Sequence, residues 1–296
     1  MTDRTCLRVK SSVKCIARCK VSFVELASGP AYRGDDMGQK MSKAPIFYTI
    51  GQIQFSPVLG MAKFIPDMQE SLRGQFPDFR QEKIGTIQIR IAEENAPPAQ
   101  AVTQDRWNFT DLKKTSGYLL QPQTLVFHTT AYETSEQFLE KVLDGISVVN
   151  KYAHLTYIDS VAIRTLDAVI PEGGLNVRDY LNPAVRGLSD GLDGHLKHNV
   201  MESLWDIPPH GVLISRVSIV KGSLAMPMDL FPLSLELRLD LKAINIEHAL
   251  LDNDRQERER FLFDLEEIRK RLLTVKKGAT QAFQKAVSEV ALERWK

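Results

Sequence analysis

The residues best suited to binding a metal ion are concentrated in one glycine-rich stretch of the sequence. They are two aspartates, two histidines three positions apart and a glutamate: Asp190, Asp193, His195, His198 and Glu202. Imidazole nitrogens and carboxylate oxygens are common ligands of zinc and related metals. Gly191 and Gly194 interrupt the stretch, however, and glycines favour a turn over a rigid helix face. We therefore take a solvated loop as the default interpretation and a metal site as the alternative.

His128 and Tyr132 are a second candidate pair, placed at and just beyond the end of a predicted strand. A histidine imidazole beside a phenol could act as a general base. A single histidine at a strand end is more commonly a structural residue that satisfies its ring nitrogens with hydrogen bonds. We expect a structural role for His128 and keep both residues as candidates for contact with a ligand or partner.

Arg164 lies in a mostly apolar stretch, residues 155–170, that predicts a buried strand. A guanidinium in such a strand must reach solvent or pair with a carboxylate, because an unpaired buried charge is strongly unfavourable. Asp167 is three residues further on and so points to the opposite face of the strand. We expect Arg164 to form an ion pair with a partner from elsewhere in the chain, and contact with a ligand is the alternative.

Several motifs of familiar enzymes and nucleotide-binding proteins are absent. The sequence contains no G-x-x-x-x-G-K-[ST], no G-x-G-x-x-G and no H-E-x-x-H. The members of an active site can be distant in sequence, so an enzyme whose site is assembled across strands stays an alternative. No catalytic residue and no cofactor is predicted.

Charge is distributed unevenly along the chain. The 296 residues contain 38 Lys and Arg against 37 Asp and Glu, a net charge of +1. Residues 1–43 hold nine of the basic and four of the acidic side chains, which leaves 29 basic and 33 acidic side chains in the remainder. A mildly acidic body lacks the field that attracts nucleic acid or anionic lipid. Binding of nucleic acid is therefore not the favoured hypothesis.

Residues 1–40 are predicted to be a disordered basic leader, with Met37 or Met41 as an alternative start. All three cysteines, Cys6, Cys15 and Cys19, lie in this leader, and an odd number in one tail does not form a disulfide framework. The leader lacks the apolar core of a secretory signal, although its Arg and Ser content leaves a transit peptide as an alternative, and the chain has no run of about 18 apolar residues. These features predict a cytoplasmic protein that does not associate with membranes.

Hydrophobic periodicity predicts alternating groups of strands and helices. The predicted strands are residues 46–55, 84–91, 106–110, 117–121, 124–130, 155–170, 199–205, 211–220 and 233–246, with a loop at 93–104. The predicted helices begin at Pro66, at a capping box formed by Thr134 and Gln137, at Val177 and at about Arg255, the last with a break at Gly278. This order predicts an α+β protein: a large, mainly antiparallel sheet with helices on one face and C-terminal helices. It also predicts a duplicated β-α-β4-α unit, divided into residues 41–153 and 154–296.

Scattered segments of the chain resemble a sporadically distributed, functionally uncharacterised bacterial protein family that is defined only by a numbered sequence model. The resemblance is carried by Ala44-Pro45, Tyr132 and Phe138, Val161-Ala162-Ile163-Arg164, Leu237 to Ile246 with Glu247-His248, and Phe283 to Trp295. The family's usual strand pattern is similar to Arg-Tyr-x-Asn, where this chain has Arg164-Thr165-Leu166-Asp167, so Arg164 is the residue that carries over. The family's scattered distribution is typical of mobile defence or toxin–antitoxin modules, and the resemblance implies such a setting.

The leading functional hypothesis is a non-enzymatic protein-binding or regulatory protein in that bacterial setting. It would hold another protein on its sheet face or on the irregular segment formed by residues 171–209, and a homo-oligomer is compatible with this hypothesis. The alternatives are an enzyme or nucleotide-sensing domain with a cryptic pocket, and a nucleic-acid-binding protein. A deep pocket lined by convergent polar groups with shifted pKa values would favour the first alternative.

Overall fold

The protein is an α+β structure in which helices pack on a large antiparallel sheet. The computed structural model describes residues 43–88, 100–189, 196–224, 226–240 and 244–296, so the predicted leader lies outside the described residues. The strands are β1 (Ile46–Phe55), β2 (Asp78–Gln88), β3 (Gln100–Thr110), β4 (Ser116–Gln121), β5 (Thr124–Thr129), β6 (Tyr157–Val169), β7 (His198–Ile207), β8 (Gly211–Lys221), β9 (Glu247–Glu257) and β10 (Phe261–Leu262). The helices are α1 (Ile65–Leu72), α2 (Ser135–Ala153), α3 (Val177–Tyr180), α4 (Leu265–Ala286) and α5 (Glu289–Trp295). The predicted fold class is confirmed.

The strand order places the two halves of the chain side by side in one sheet. The order is β2-β3-β4-β5-β1-β6-β9-β8-β7, and β10 adds a short pairing to β6. In each half the first strand pairs with the last long strand, β1 with β5 and β6 with β9. The first strands, β1 and β6, pair with each other in the middle, so the sheet continues across the predicted boundary after residue 153.

Two long helices cover one face of the sheet because each carries an apolar stripe. Thr134 caps α2 by accepting a hydrogen bond from the Gln137 amide, as the capping box predicted. The buried stripe of α2 packs with β1 and β5, and α4 packs with β6 and β9. Gly51 allows the close approach of α2, because a Cβ at this position would lie 2.6 Å from Val142 Cγ2.

An irregular segment covers part of the opposite face of the sheet. We call residues 226–240 the covering segment. Apolar contacts between this segment and the sheet hold it in place: Met226 and Leu235 pack against Tyr48 and Leu166 of the central strands. Its backbone is also fixed near β5, because the Glu236 amide donates to the Lys114 carbonyl at 2.8 Å and Thr130 Oγ1 donates to the Glu236 carbonyl.

The sequence prediction was wrong in two places around this segment. Residues 233–246 were predicted to be a strand, but their described part is irregular: the leucines alternate because Leu235 packs onto the sheet while its neighbours are more exposed. A helix was predicted from Arg255, which instead lies in β9, and α4 begins at Leu265 with Asp264 as its N-cap. Pairing of β9 with β6 and β8 overrides the local helical preference of this charged stretch.

Smaller differences concern a loop and a helix break. Residues 93–104 were predicted to be a loop, but β3 begins at Gln100, since its pairing with β2 continues that far. The predicted strand at 84–91 begins earlier, at Asp78, and residues 89–99 lie outside the described residues. A helix break was predicted at Gly278, but α4 continues to Ala286, and the side chain of Arg255 packs closely over this glycine through Cγ, Cδ and Nε.

Candidate functional site

The register of the central strands places three titratable side chains and one apolar side chain in one row across the sheet. Ile50 on β1 lies opposite His128 on β5 and opposite Arg164 on β6. Arg164 in turn lies opposite Asp254 on β9. Paired residues point to the same face of a sheet, so all four share the face opposite the helices. His128 and Arg164 are two strands apart, a separation of roughly 10 Å.

A second row of paired residues extends this surface by two positions along each strand. It contains apolar and amide side chains: Val126, Gln52, Ala162 and Gln256. Together the two rows form the floor of a cavity of about 230 Å³ that opens to solvent. Residues 229–234 of the covering segment form its roof. The pocket therefore lies between the central strands and an irregular segment of the chain.

Arg164 is held at the pocket by two carboxylates. Asp252 on β9 accepts two hydrogen bonds, one from Nε to Oδ1 and one from Nη2 to Oδ2, both at 2.7 Å. Asp229 of the covering segment accepts bonds from Nη1 and, at 3.3 Å, from Nη2. These contacts raise the pKa of Arg164 against the opposing effect of its burial. As expected from the sequence, the partners of this arginine come from elsewhere in the chain.

Asp252 is shared by two guanidiniums. Arg216 on β8 lies opposite Asp252 and donates to its Oδ2 at 3.3 Å. Arg216 also donates to Glu202, which lies opposite it on β7. One buried carboxylate therefore serves two arginines, and each arginine completes its pairing with a second, more exposed carboxylate.

Tyr48 and His128 form a buried neutral pair at one end of the pocket. The Tyr48 hydroxyl lies 2.7 Å from His128 Nδ1, and Ser234 of the covering segment lies 3.5 Å from His128 Nε2. Burial, with a smaller contribution from the charge of Arg106, lowers the pKa of His128 to about 3. Burial also raises the pKa of the Tyr48 phenol. Both groups are therefore uncharged at neutral pH and hold fixed hydrogen-bonding positions.

Further polar groups line the pocket on opposite sides. Burial raises the pKa of Asp254, and Gln256 Nε2 donates to Asp254 Oδ2 at 3.1 Å. Arg106 on β3 is paired with Glu82 on β2, with a distance of 3.2 Å between Arg106 Nε and Glu82 Oε2. The pocket thus combines apolar side chains with paired charges and amide groups, and such a combination can orient a small ligand.

The residues predicted from the sequence fall in three different places. Arg164 and His128 line the same pocket. Tyr132 does not: its ring packs on Phe138 in the core beneath the helices, and its hydroxyl lies 2.8 Å from Ser135 Oγ. Nothing in the local sequence pattern placed Tyr132 on the opposite face of the sheet from Arg164 and His128.

The predicted metal-binding stretch lies mostly outside the described residues, which exclude Asp190, Asp193 and His195. His198 is exposed at the start of β7, and Glu202 is paired with Arg216. In the part of the chain that the structure describes, no group of three or more His, Cys, Asp or Glu is placed to hold a metal ion.

Sequence reasoning missed several residues of the pocket. Tyr48, Asp229 and Asp254, which line the pocket, were not predicted, and neither was Asp252, which holds Arg164 from β9, because each belongs to the site only through strand register or the path of the covering segment. Asp252 and Asp254 are two residues apart, a spacing that places both on the same face of a strand, so the sequence contained a signal for a polar face on β9.

A nucleophile-like motif was also missed. Residues 187–191 read Gly-Leu-Ser-Asp-Gly, which matches the G-x-S-x-G spacing of hydrolase nucleophile elbows. The elbow requires a strand before the serine, whereas Ser189 ends a 3-10 turn that follows another such turn, Pro183–Val185. The motif therefore lacks the strand that precedes the serine in an elbow.

Comparisons with known proteins give no family assignment. No protein-family model matches the sequence, and no curated protein matches it significantly. Among the described helices, none has both the length and the apolar character needed to cross a lipid bilayer.

Proposed function

We propose that this protein is a non-enzymatic binding or regulatory protein that holds a small molecule in the pocket beneath the covering segment. The observation that carries this proposal is the convergence of Arg164, His128 and Asp254 on one cavity beside the apolar side chains of Ile50, Val126 and Ala162. Fixed donors and acceptors around an apolar surface give orientation and specificity to a small ligand. This proposal keeps the non-enzymatic, regulatory role predicted from the sequence. It takes the small-molecule pocket from the alternative hypothesis of an enzyme or nucleotide-sensing domain.

The chemistry of the pocket favours binding over catalysis. A general base needs a pKa near the working pH and a free nitrogen within reach of a substrate proton. His128 has a lowered pKa, and its Nδ1 is occupied by the Tyr48 hydroxyl. Arg164 is likewise engaged on both edges of its guanidinium. These groups are suited to holding a ligand in one orientation.

A titration followed through side-chain methyl groups tests this proposal. The protein is labelled at Ile, Leu and Val methyls and titrated with a library of small polar fragments. Saturable shifts are expected at Ile50 and Val126, which line the pocket, and not at Ile53 or Ile163, which are buried on the helix side. Fragments that shift no pocket methyl, or shift both sets equally, would contradict a binding site at this position.

A matched variant distinguishes the pocket from the rest of the surface. Ala162 lies on the pocket floor, so Ala162→Leu places extra methyl groups inside the cavity. We expect this variant to lose the shifts at Val126 while the spectrum of the helix-side methyls stays unchanged.

A second candidate function is the binding of another protein at the edge strand β7. Within the described residues β7 pairs with β8 alone, and it exposes Val200, Leu204 and Trp205 to solvent. Exposed apolar residues on an unpaired edge favour addition of a strand from a partner. This strand belongs to the segment 171–209 that the sequence predicted to face a partner, and the resemblance would place such a partner in a bacterial defence or toxin–antitoxin setting.

Affinity capture with a charge placed on the edge tests this second function. Leu204→Lys is compared with Leu59→Lys, the same substitution at a still more exposed leucine between β1 and α1. A partner retained by the wild type and by Leu59→Lys, but lost from Leu204→Lys, is the expected result. Equal retention by both variants would exclude β7 as the interface.

A further inference from the structure

The guanidinium of Arg164 has two edges, and they are bound in different ways. One edge, Nε and Nη2, is held by Asp252 on the neighbouring strand. The other edge, Nη1 with Nη2, is held by Asp229 of the covering segment. Asp252 is part of the sheet, whereas Asp229 belongs to the covering segment that forms the roof of the pocket.

The two partners differ strongly in exposure. The Asp252 side chain is 3% exposed, and the Asp229 side chain is 64% exposed. Loss of Asp252 would leave buried charge without a partner, which is strongly unfavourable, whereas water or another anion can take the place of the solvent-exposed Asp229. Asp229 is therefore the exchangeable partner, and Asp252 is the permanent one.

The local charge balance leaves a place for an anion when Asp229 moves away. Asp252 is shared between Arg164 and Arg216, so one buried negative charge faces two positive ones. Asp254 lies opposite Arg164 on the pocket floor, and burial raises the pKa of its carboxyl group, which disfavours a second negative charge there. Glu202 completes the pairing of Arg216 at the far side, away from the pocket roof. Without Asp229, the Nη1 and Nη2 groups that form the outer edge of Arg164 would face the cavity with no carboxylate bound to them.

From this arrangement, which rests on the proposed function of the pocket, we infer that the ligand is a small molecule with a carboxylate or phosphate group that replaces Asp229 on Arg164. A guanidinium edge matches such oxyanions through two parallel hydrogen bonds. The rest of the ligand lies over Ile50, Val126 and Ala162, and so has an apolar or flat heterocyclic body. Asp229 acts as a built-in competitor that keeps the site closed until the anion binds.

The test compares two probes of the same shape in two variants. Benzoate carries the anion, and benzamide is its neutral isostere; their dissociation constants are measured by the pocket methyl shifts. Asp229→Asn removes the competing charge at an exposed position, so the fold is not expected to change. We expect benzoate to bind about two- to fivefold more tightly to Asp229→Asn than to the wild type, since this matches the strength of an exposed ion pair. Benzamide affinity should change much less.

A matched control removes a similar ion pair elsewhere. Glu140 on α2 accepts two bonds from Arg269 on α4 at an exposed position, so Glu140→Gln should leave the ratio of the two dissociation constants at its wild-type value. If both probes bind but Asp229→Asn leaves this ratio unchanged, or favours benzamide, the anion inference is overturned while the binding pocket stands. If neither probe shifts the pocket methyls at any concentration, and no fragment of the library does so, the proposed function fails with it.

Discussion

Asp252 is the residue on which the geometry of the pocket depends most directly. Its buried carboxylate accepts two hydrogen bonds from Arg164 and one from Arg216. Asp252→Asn keeps the volume of the side chain but removes the charge, and leaves both guanidiniums with their exposed partners alone. Breaking a buried pair in this way typically destabilises a protein by about 3–5 kcal/mol. Because Asp229 and Glu202 stay in place, we expect a loss of about 3 kcal/mol, near the lower limit.

Equilibrium unfolding in urea at neutral pH measures this loss. The control is Asp229→Asn, which removes an exposed partner of the same arginine and should cost less than about 1 kcal/mol. The double variant Arg164→Met with Asp252→Leu removes both charges, and we expect it to be more stable than Asp252→Asn because no buried charge is left unpaired. An Asp252→Asn protein that unfolds at the wild-type urea concentration would refute the reasoning that Arg164 depends on this carboxylate.

The remaining predictions concern the helix side of the sheet. Gly145→Ala places a Cβ 2.3 Å from the buried Tyr118 ring, so we expect a loss of about 1–3 kcal/mol in the free energy of unfolding, whereas Gly74→Ala, with open space around it, should cost little. Burial raises the pKa of Asp167 to about 7, and its Oδ2 has no hydrogen-bond partner among the described residues. Between about pH 4 and 7 the folded protein thus keeps a proton that the unfolded chain releases, so stability falls as the pH rises through this range, although the charge of the buried Lys276 opposes part of this effect. Asp167→Asn should remove this slope when urea midpoints are compared at pH 5 and pH 7, and an unchanged slope would contradict the assignment.

Local sequence signals predicted the regular elements because these elements depend on near neighbours. The strand at Ile46–Phe55 was predicted with the bounds that the structure has, and the short helix Val177–Tyr180 begins where it was predicted. The start of α2 followed from the side chain of Thr134, which caps it. The prediction of a strand at 233–246 was wrong because the alternating leucines of this segment pack on an apolar part of the sheet, and this packing produces the same sequence pattern as a strand.

The site was predictable only in part, because it is assembled by strand register. The position of Arg164 in an apolar strand showed that a carboxylate must come from elsewhere, but not which one. Asp252 meets Arg164 because β9 pairs with β6, and Asp229 does so because the covering segment crosses the sheet. His128 was predicted as a candidate, whereas its partner Tyr48 lies on a strand that pairs with β5 in the folded sheet.

A crystal structure of the protein grown with benzoate tests the central claim most directly, because it shows both the occupant of the pocket and the position of Asp229. The account predicts benzoate between Ile50 and Val126, with its carboxylate on the outer edge of Arg164 and Asp229 turned away. A pocket without benzoate, with Asp229 still bonded to Arg164 at a benzoate concentration that saturates the methyl shifts in solution, would contradict it.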